Sequence, residues 1–158
     1  MKKKFLLVLM SLVVLTLTAC GASMSGGSSK TTVNDYTKTI SNYEDKQQDL
    51  MMKQSDMPSN DADELIKHAK EVVDSKEYKD WITASEKVAK LDVSELESSE
   101  SFTNFITAIS EYNKVQSEYF QELAKATNKE EYNAVNARII PELQKVEDNY
   151  INLSNSAQ

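Results

Sequence analysis

Turn-forming and cross-linking residues are scarce in this chain of 158 residues. It contains three glycines, all before residue 28, two prolines and one cysteine. Tight turns and β-hairpins depend on glycine, proline and related turn residues, so their scarcity disfavours a β-rich fold. A single cysteine cannot form an internal disulfide. These absences predict an all-α domain that is stabilised by packing alone.

Histidine and positive charge are also limited. His68 is the only histidine, and the formal net charge is −7 with a pI near 4.8. A zinc site needs further nitrogen or sulfur ligands, and nucleic-acid binding needs clustered lysine and arginine. No serine lies in a nucleophile-elbow pattern. We therefore expect no metal, no cofactor and no nucleic-acid partner, and we do not expect an enzyme. His68 is interpreted as a structural residue that lies at the surface or is half-buried.

The one long apolar run is at the N-terminus. Lys2, Lys3 and Lys4 precede Phe5–Leu17, which is too short for a comfortable membrane span. A charged start, a short apolar stretch and small residues at its end are typical of an export signal.

The end of this run, Leu17-Thr18-Ala19-Cys20, resembles the lipobox of bacterial lipoproteins. The resemblance covers about the first twenty residues. It implies that residues 1–19 are a cleaved signal peptide, that Cys20 carries diacylglycerol, and that the protein is anchored at the outer face of the cell membrane. A plain secretory signal with an unmodified cysteine is the alternative. The apolar signal also resembles the pheromone peptides that some bacteria release from lipoprotein signals.

Residues 20–30 are mostly Gly and Ser, with one Ala and one Met, which predicts a flexible tether with a reach of roughly 20 Å. Removal of residues 1–19, which carry three lysines and no acids, takes the formal charge from −7 to −10. The domain that remains, residues 31–158, is therefore acidic. Such a charge favours cationic partners, although it also serves solubility.

Apolar residues recur at helical spacing in four segments of this domain. The first spans about 33–51, with Thr31 or Asn34 as a cap and an interruption at Gln47. The second spans about 62–91, capped by Asp61, and is either one bent helix or two short collinear helices. Residues 92–101 are predicted to be a loop or a single turn with few apolar anchors. The third and fourth segments span about 102–123 and 132–153. Asn128 caps the last one, and Pro141 should interrupt it with a kink near 138–141.

Four amphipathic segments with short connections predict a single antiparallel helical bundle of about four helices. Trp81, which has Lys79, Asp80 and Lys87 around it, is a candidate for a partly exposed anchor of a partner. The best candidates for contact with a cation are three acids of the connector, Glu95, Glu97 and Glu100. Most of the other aromatic side chains are expected to fill the core. Met51, Met52 and Met57 are also expected to fill it, with a soft contact surface near the end of the first helix as the alternative.

Two functions are compatible with this sequence. The first is a non-catalytic lipoprotein that binds a protein or cationic peptide at the cell envelope, as an immunity, exclusion or envelope-assembly factor would. The second is a carrier or sensor that holds a small apolar ligand inside the bundle, which requires a cavity between Trp81 and the face formed by Tyr112 and Tyr119.

Overall fold

The computed structural model describes residues 31–56, 61–97 and 99–156. Within these ranges the chain forms helices and no strands, so the predicted all-α helical bundle is confirmed. The predicted second segment is divided into two helices, which brings the number in the described chain to five. They are α1 (Val33–Ser55), α2 (Ala62–Asp74), α3 (Lys76–Ala89), α4 (Ser99–Lys125) and α5 (Lys129–Ser156).

Helix α1 begins with a capping box at Thr32. The Thr32 hydroxyl accepts a hydrogen bond from the Asp35 N–H at 3.1 Å, and the Asp35 carboxylate accepts one from the Thr32 N–H at 3.2 Å. These bonds satisfy amide groups that have no partner within the helix. The prediction of Thr31 or Asn34 as the cap was therefore wrong by one or two residues.

One extended residue, Ser75, separates α2 from α3. Its hydroxyl donates to the Val72 carbonyl at 2.6 Å and accepts from the Tyr78 N–H at 3.1 Å, so the same side chain ends α2 and caps α3. Asp61 caps the start of α2, as predicted, by accepting from the N–H groups of Asp63 and Glu64. The structure thus excludes a single bent helix in this region.

The connector between α3 and α4, residues 90–98, is shorter and better anchored than expected. Val93 is buried in the core, and Leu91 and Leu96 pack against it. Helix α4 begins at Ser99, so the last residues of the predicted loop are helical. The predicted stretch 92–101 has few apolar anchors, as expected, but both of them, Val93 and Leu96, pack on the core.

Helix α5 begins at the predicted cap. The Asn128 side-chain oxygen accepts from the Glu131 N–H at 3.0 Å. Beyond it the helix continues through Pro141 to Ser156 as one element, so the predicted interruption is not observed. Proline removes the hydrogen bond to the Ala137 carbonyl. Because Pro141 and Ala137 are both exposed, water can hydrate that carbonyl instead.

Three contacts show that α1 and α4 run in the same direction. Tyr36 packs on Phe102, with ring centroids 4.5 Å apart, Tyr43 bonds to Asn113, and Gln47 bonds to Gln116. The residue numbers therefore increase together along the two helices. Helix α5 returns antiparallel to α4, because Asn136 bonds to Tyr119 and Tyr150 stacks on Phe105. The start of α1, directly after the predicted tether, therefore lies at the same end of the bundle as the start of α4 and the connector. We call this the tether end.

The core is built mainly from α1, α3 and α4. Its fully buried large side chains include Tyr43, Leu50, Trp81 and Ile109. Tyr78 packs on both Trp81 and Phe120, with ring centroids 5.6 and 5.9 Å apart. Apolar and aromatic burial of this extent is the main source of stability in a domain without disulfides.

Candidate functional site

A layer of hydrogen-bonded polar side chains crosses the centre of the bundle. Gln47 on α1 is 2% exposed, and its amide nitrogen donates to the Gln116 oxygen at 3.1 Å and to the Tyr112 hydroxyl at 3.5 Å. The Tyr43 hydroxyl donates to the Asn113 oxygen at 2.8 Å. Buried polar groups cost little when they are paired, and pairs of this kind fix which helices meet and in which register.

Two donors in the same region lack a protein partner among the described residues. They are the Asn113 amide nitrogen and the Trp81 indole nitrogen. The Trp81 indole lies near the Tyr43 hydroxyl and partly offsets the rise in the pKa of Tyr43 that burial causes. The indole nitrogen itself has no hydrogen-bond partner among the described residues. The polar layer is therefore nearly but not completely satisfied.

Trp81 is completely buried, which corrects its interpretation as a partly exposed anchor. Its charged sequence neighbours do not expose it, because consecutive residues of a helix are separated by about 100° around the axis. Lys79 and Lys87 are exposed on other faces of α3, whereas Trp81 points into the core cluster. The side chain therefore stabilises the bundle from inside.

The tyrosines of the interior stay protonated at physiological pH. Burial raises the pKa of Tyr43, Tyr112 and Tyr150 well above the ordinary value of 10, and burial raises the pKa of Tyr119 to about 12. A phenol with a raised pKa donates a hydrogen bond but is a poor source of phenolate. Tyr43 and Tyr119 donate to the side-chain oxygens of Asn113 and Asn136, and the Tyr112 hydroxyl accepts from Gln47.

Two half-buried carboxylates flank these tyrosines. Desolvation raises the pKa of Glu44 on α1 above its ordinary value of 4.5, and nearby Asp45 adds to the effect. Glu147 on α5 is raised for the same reason, with Asp148 contributing. Glu44 faces Tyr36 and Tyr150, so it lies where the last part of α5 approaches α1.

The three candidate acids of the connector region are exposed at the tether end. Glu95 and Glu97 belong to the connector, and Glu100 lies in the first turn of α4. The buried side chain of Val93 holds this segment on the core. Contact of these acids with a partner stays a prediction.

An open groove of about 530 Å³ lies between α1 and α3 at the end of the bundle opposite the tether end. It is lined by the last part of α1 and the first part of α3, through Lys46, Asp49, Met52, Lys53, Ser55, Asp56, Lys76, Glu77 and Asp80. Lys46 pairs with Asp49 at 3.0 Å, and Lys76 pairs with Asp80. The hydrogen bond from Lys76 lowers the pKa of Asp80.

Met52 is the exposed apolar side chain of this groove. It is 54% exposed and is the one large hydrophobic residue classed as exposed in the part of the chain that the structure describes. The expectation that Met52 fills the core was therefore wrong. Met51 is half-buried, and Met57 lies outside the described residues. The helical position of Met52, between the half-buried Met51 and Lys53, turns its side chain away from the core.

The predicted membrane anchor cannot be compared with the structure. The lipobox and Cys20 lie outside the described residues. None of the described helices has the length and apolar character needed to cross a membrane.

No group of three or more His, Cys, Asp and Glu side chains suited to a metal ion occurs in residues 31–56, 61–97 and 99–156. His68 is buried on α2, which corrects the expectation that it lies at the surface or is half-buried, and its Nε2 atom has no partner in the described chain.

Comparison with protein-family models, curated proteins and solved structures finds no match to this chain. Its candidate sites are therefore defined by its own geometry. Gln47, Asn113 and Gln116 were not singled out from the sequence as interacting residues. The available signal was that each falls within the apolar stripe of its helix, which is where a paired core amide is found.

Proposed function

We propose that the chain is a non-catalytic lipoprotein, anchored through Cys20 at the outer face of the cell membrane, which binds a cationic protein or peptide. The lipobox resemblance supports the anchor, since a diacylglyceryl group supplies two acyl chains and two chains suffice for lasting attachment. The domain that follows the tether carries the acidic excess that attracts a cationic partner.

The observation that carries the proposal is the placement of charge in the bundle. Glu95, Glu97 and Glu100 are all exposed on one segment, whereas the interior is occupied by aromatic and hydrogen-bonded side chains. Charges exposed in this way steer the encounter with a partner of opposite sign. A protein or peptide that meets the surface therefore fits this bundle better than a ligand that must enter it.

The alternative of a small-ligand carrier requires a cavity between Trp81 and the face formed by Tyr112 and Tyr119. Trp81 and Tyr112 are both buried, and Gln47 of α1 reaches Tyr112 within hydrogen-bond distance. Side chains therefore occupy this region, and we prefer partner binding.

Crosslinking and affinity capture from intact cells would test the proposal. The native protein is compared with a Cys20→Ala variant, which cannot be lipidated. We expect the native protein to fractionate with membranes and to capture a specific basic protein or peptide, and the variant to lose both properties. Capture that is equal for both forms, or membrane association that does not depend on Cys20, would contradict the anchored interaction.

The role of the connector is tested by charge reversal. Replacing Glu95, Glu97 and Glu100 together with lysine should slow association with the captured partner by about three- to tenfold at low salt, because exposed charges act mainly on the rate of encounter. The difference should shrink at high salt. Glu142→Lys is the control, because it reverses one exposed charge on α5, away from the connector. An unchanged rate for the triple variant would remove the connector from the interface.

A further inference from the structure

We propose that the groove between α1 and α3 is the docking surface for a cationic amphipathic segment of the partner, with Met52 as its apolar contact. This inference rests on the proposed function, because it assumes a protein partner that reaches the anchored bundle from outside. The reasons are the position of the groove relative to the tether, its one exposed apolar side chain, and its charge.

The groove lies far from the membrane attachment. The tether joins the bundle at Thr31, directly before α1, and Met52 lies near the other end of the same helix. Nineteen helical residues between Val33 and Met52 correspond to about 28 Å along the helix axis. The tether predicted from the composition of residues 20–30 has a reach of roughly 20 Å, so the proposed anchor would keep the tether end near the lipid surface. The groove therefore lies at the end of the bundle away from the lipid, whereas the connector acids at the tether end act on the partner through the rate of encounter.

Met52 gives the groove a largely exposed apolar contact. Single exposed apolar side chains are common, but this one lies in a concave site of about 530 Å³ between two helices. A methionine side chain adapts its shape to different apolar partners, which suits it to a contact surface. An apolar side chain of the partner can therefore be buried against Met52.

The charge of the groove favours a basic segment. Three lysines and four acids line it, and the ion pairs Lys46–Asp49 and Lys76–Asp80 neutralise two of each. Lys53, Asp56 and Glu77 remain, and none of these three forms an ion pair with another described residue. One excess negative charge is left in the groove of a domain that is acidic as a whole. A segment that carries apolar residues on one face and lysines beside them complements this arrangement.

The binding of a defined probe tests this inference. The probe is a synthetic, fluorescently labelled 14-residue helical peptide with leucine on one face and lysine on the other. Its binding to the full-length protein in a zwitterionic detergent is measured by fluorescence anisotropy. We expect Met52→Gln to weaken binding at least fivefold and Met52→Leu to leave it within twofold, because leucine keeps the apolar contact at similar size. Asp56→Asn and Glu77→Gln should each weaken binding about two- to threefold.

Controls separate a local effect from loss of the fold. Met52 is largely exposed, so the urea midpoint of Met52→Gln should match that of the native protein. Glu142→Gln on α5 removes one charge elsewhere and should leave peptide binding within twofold. Binding that is unaffected by Met52→Gln, or weakened equally by Glu142→Gln, would overturn the groove as the docking surface and leave the proposed function in place. No binding of the peptide to the native protein would likewise overturn the groove as the docking surface, whereas the proposed function fails only if the capture experiment with the Cys20→Ala variant fails.

Discussion

Helices α4 and α5 have similar lengths and each carries an apolar stripe, but the bundle buries them very differently. Helix α4 has ten buried residues, whereas Ile139 and Tyr150 are the buried ones among residues 129–153 of α5, the part of that helix whose side chains the structure describes. The other apolar residues of the α5 stripe, among them Val135 and Leu143, are half-buried. An apolar stripe therefore identifies the inward face of a helix without determining how far that face is removed from water.

The difference follows from the neighbours of each helix. Helix α4 packs against α2, α3 and α5, and its side chains also meet those of α1. Helix α5 packs chiefly on α4, with a smaller contact to α2, and no described Cα atom of α5 lies within 8 Å of one in α1. Only near its end does α5 reach the centre, where Tyr150 stacks on Phe105 and Tyr112. The ion pairs of Arg138 with Glu118 and Glu122 hold its middle on α4.

The largest expected effect comes from truncating matched apolar residues of the two helices. Ile109→Ala on α4 removes a fully buried side chain, and we expect it to lower the free energy of unfolding by about 2–4 kcal/mol. Leu143→Ala on α5 should cost about 1 kcal/mol, because Leu143 is already half exposed to water. Urea denaturation of both variants measures the difference. Equal losses would mean that α5 is as central as α4.

Replacement of Pro141 tests why α5 tolerates a proline. Pro141→Ala restores the hydrogen bond to the Ala137 carbonyl, so we expect a stabilisation of about 1–2 kcal/mol. This is less than the ~3 kcal/mol cost of an interior proline, because water can already reach that carbonyl and because proline also restricts the unfolded chain. Thermal unfolding of the two proteins gives the value. A destabilised variant would show that α5 needs the local geometry that proline imposes.

The smallest expected effect concerns the one place where α5 approaches α1. Desolvation raises the pKa of Glu44 beside Tyr150, so the folded state binds the proton of Glu44 more tightly than the unfolded state does. The stability from this group is present at low pH and is lost as the pH rises through 4.5 and above. Glu44→Gln should therefore stabilise the protein by up to about 0.5 kcal/mol at pH 7.

The pH dependence of this difference provides the control for Glu44. Near pH 3.5 the native carboxyl is protonated in both states, and the two proteins should have equal stability. Denaturation at the two pH values checks this expectation. An advantage of Glu44→Gln that is the same at both values would show that packing, and not the charge of Glu44, is responsible.

Much of the fold could be predicted from local patterns. The stripes from Tyr36 to Leu50 and from Phe105 to Leu123 identified α1 and α4, and the caps at Asp61 and Asn128 marked helix starts. The break at Ser75 could not be resolved, because serine is compatible with a helix interior as well as with a cap. Its role depends on whether its hydroxyl meets the Tyr78 N–H, and the structure shows that it does.

The candidate sites were less predictable. Gln47 was interpreted as an interruption of an apolar stripe, yet it is among the least exposed residues because Gln116 and Tyr112 supply its hydrogen-bond partners from α4. Trp81 was expected to be partly exposed and is buried, whereas Met52 was expected to be buried and is exposed. The charges next to Trp81 in sequence and the apolar character of Met52 were therefore misleading guides to exposure.

The sequence by itself determined the class of fold, the approximate course of the helices and the acidic charge, because backbone preferences, helical periodicity and ionisable groups are local properties of the chain. It also carries the lipobox resemblance on which the proposed membrane anchor rests. Only the tertiary structure decided that α4 is central and α5 peripheral, that a polar layer joins α1 to α4, and that a groove lies opposite the tether end. Each of these depends on which helix faces meet, and residues far apart in sequence set that pairing through packing and buried hydrogen bonds.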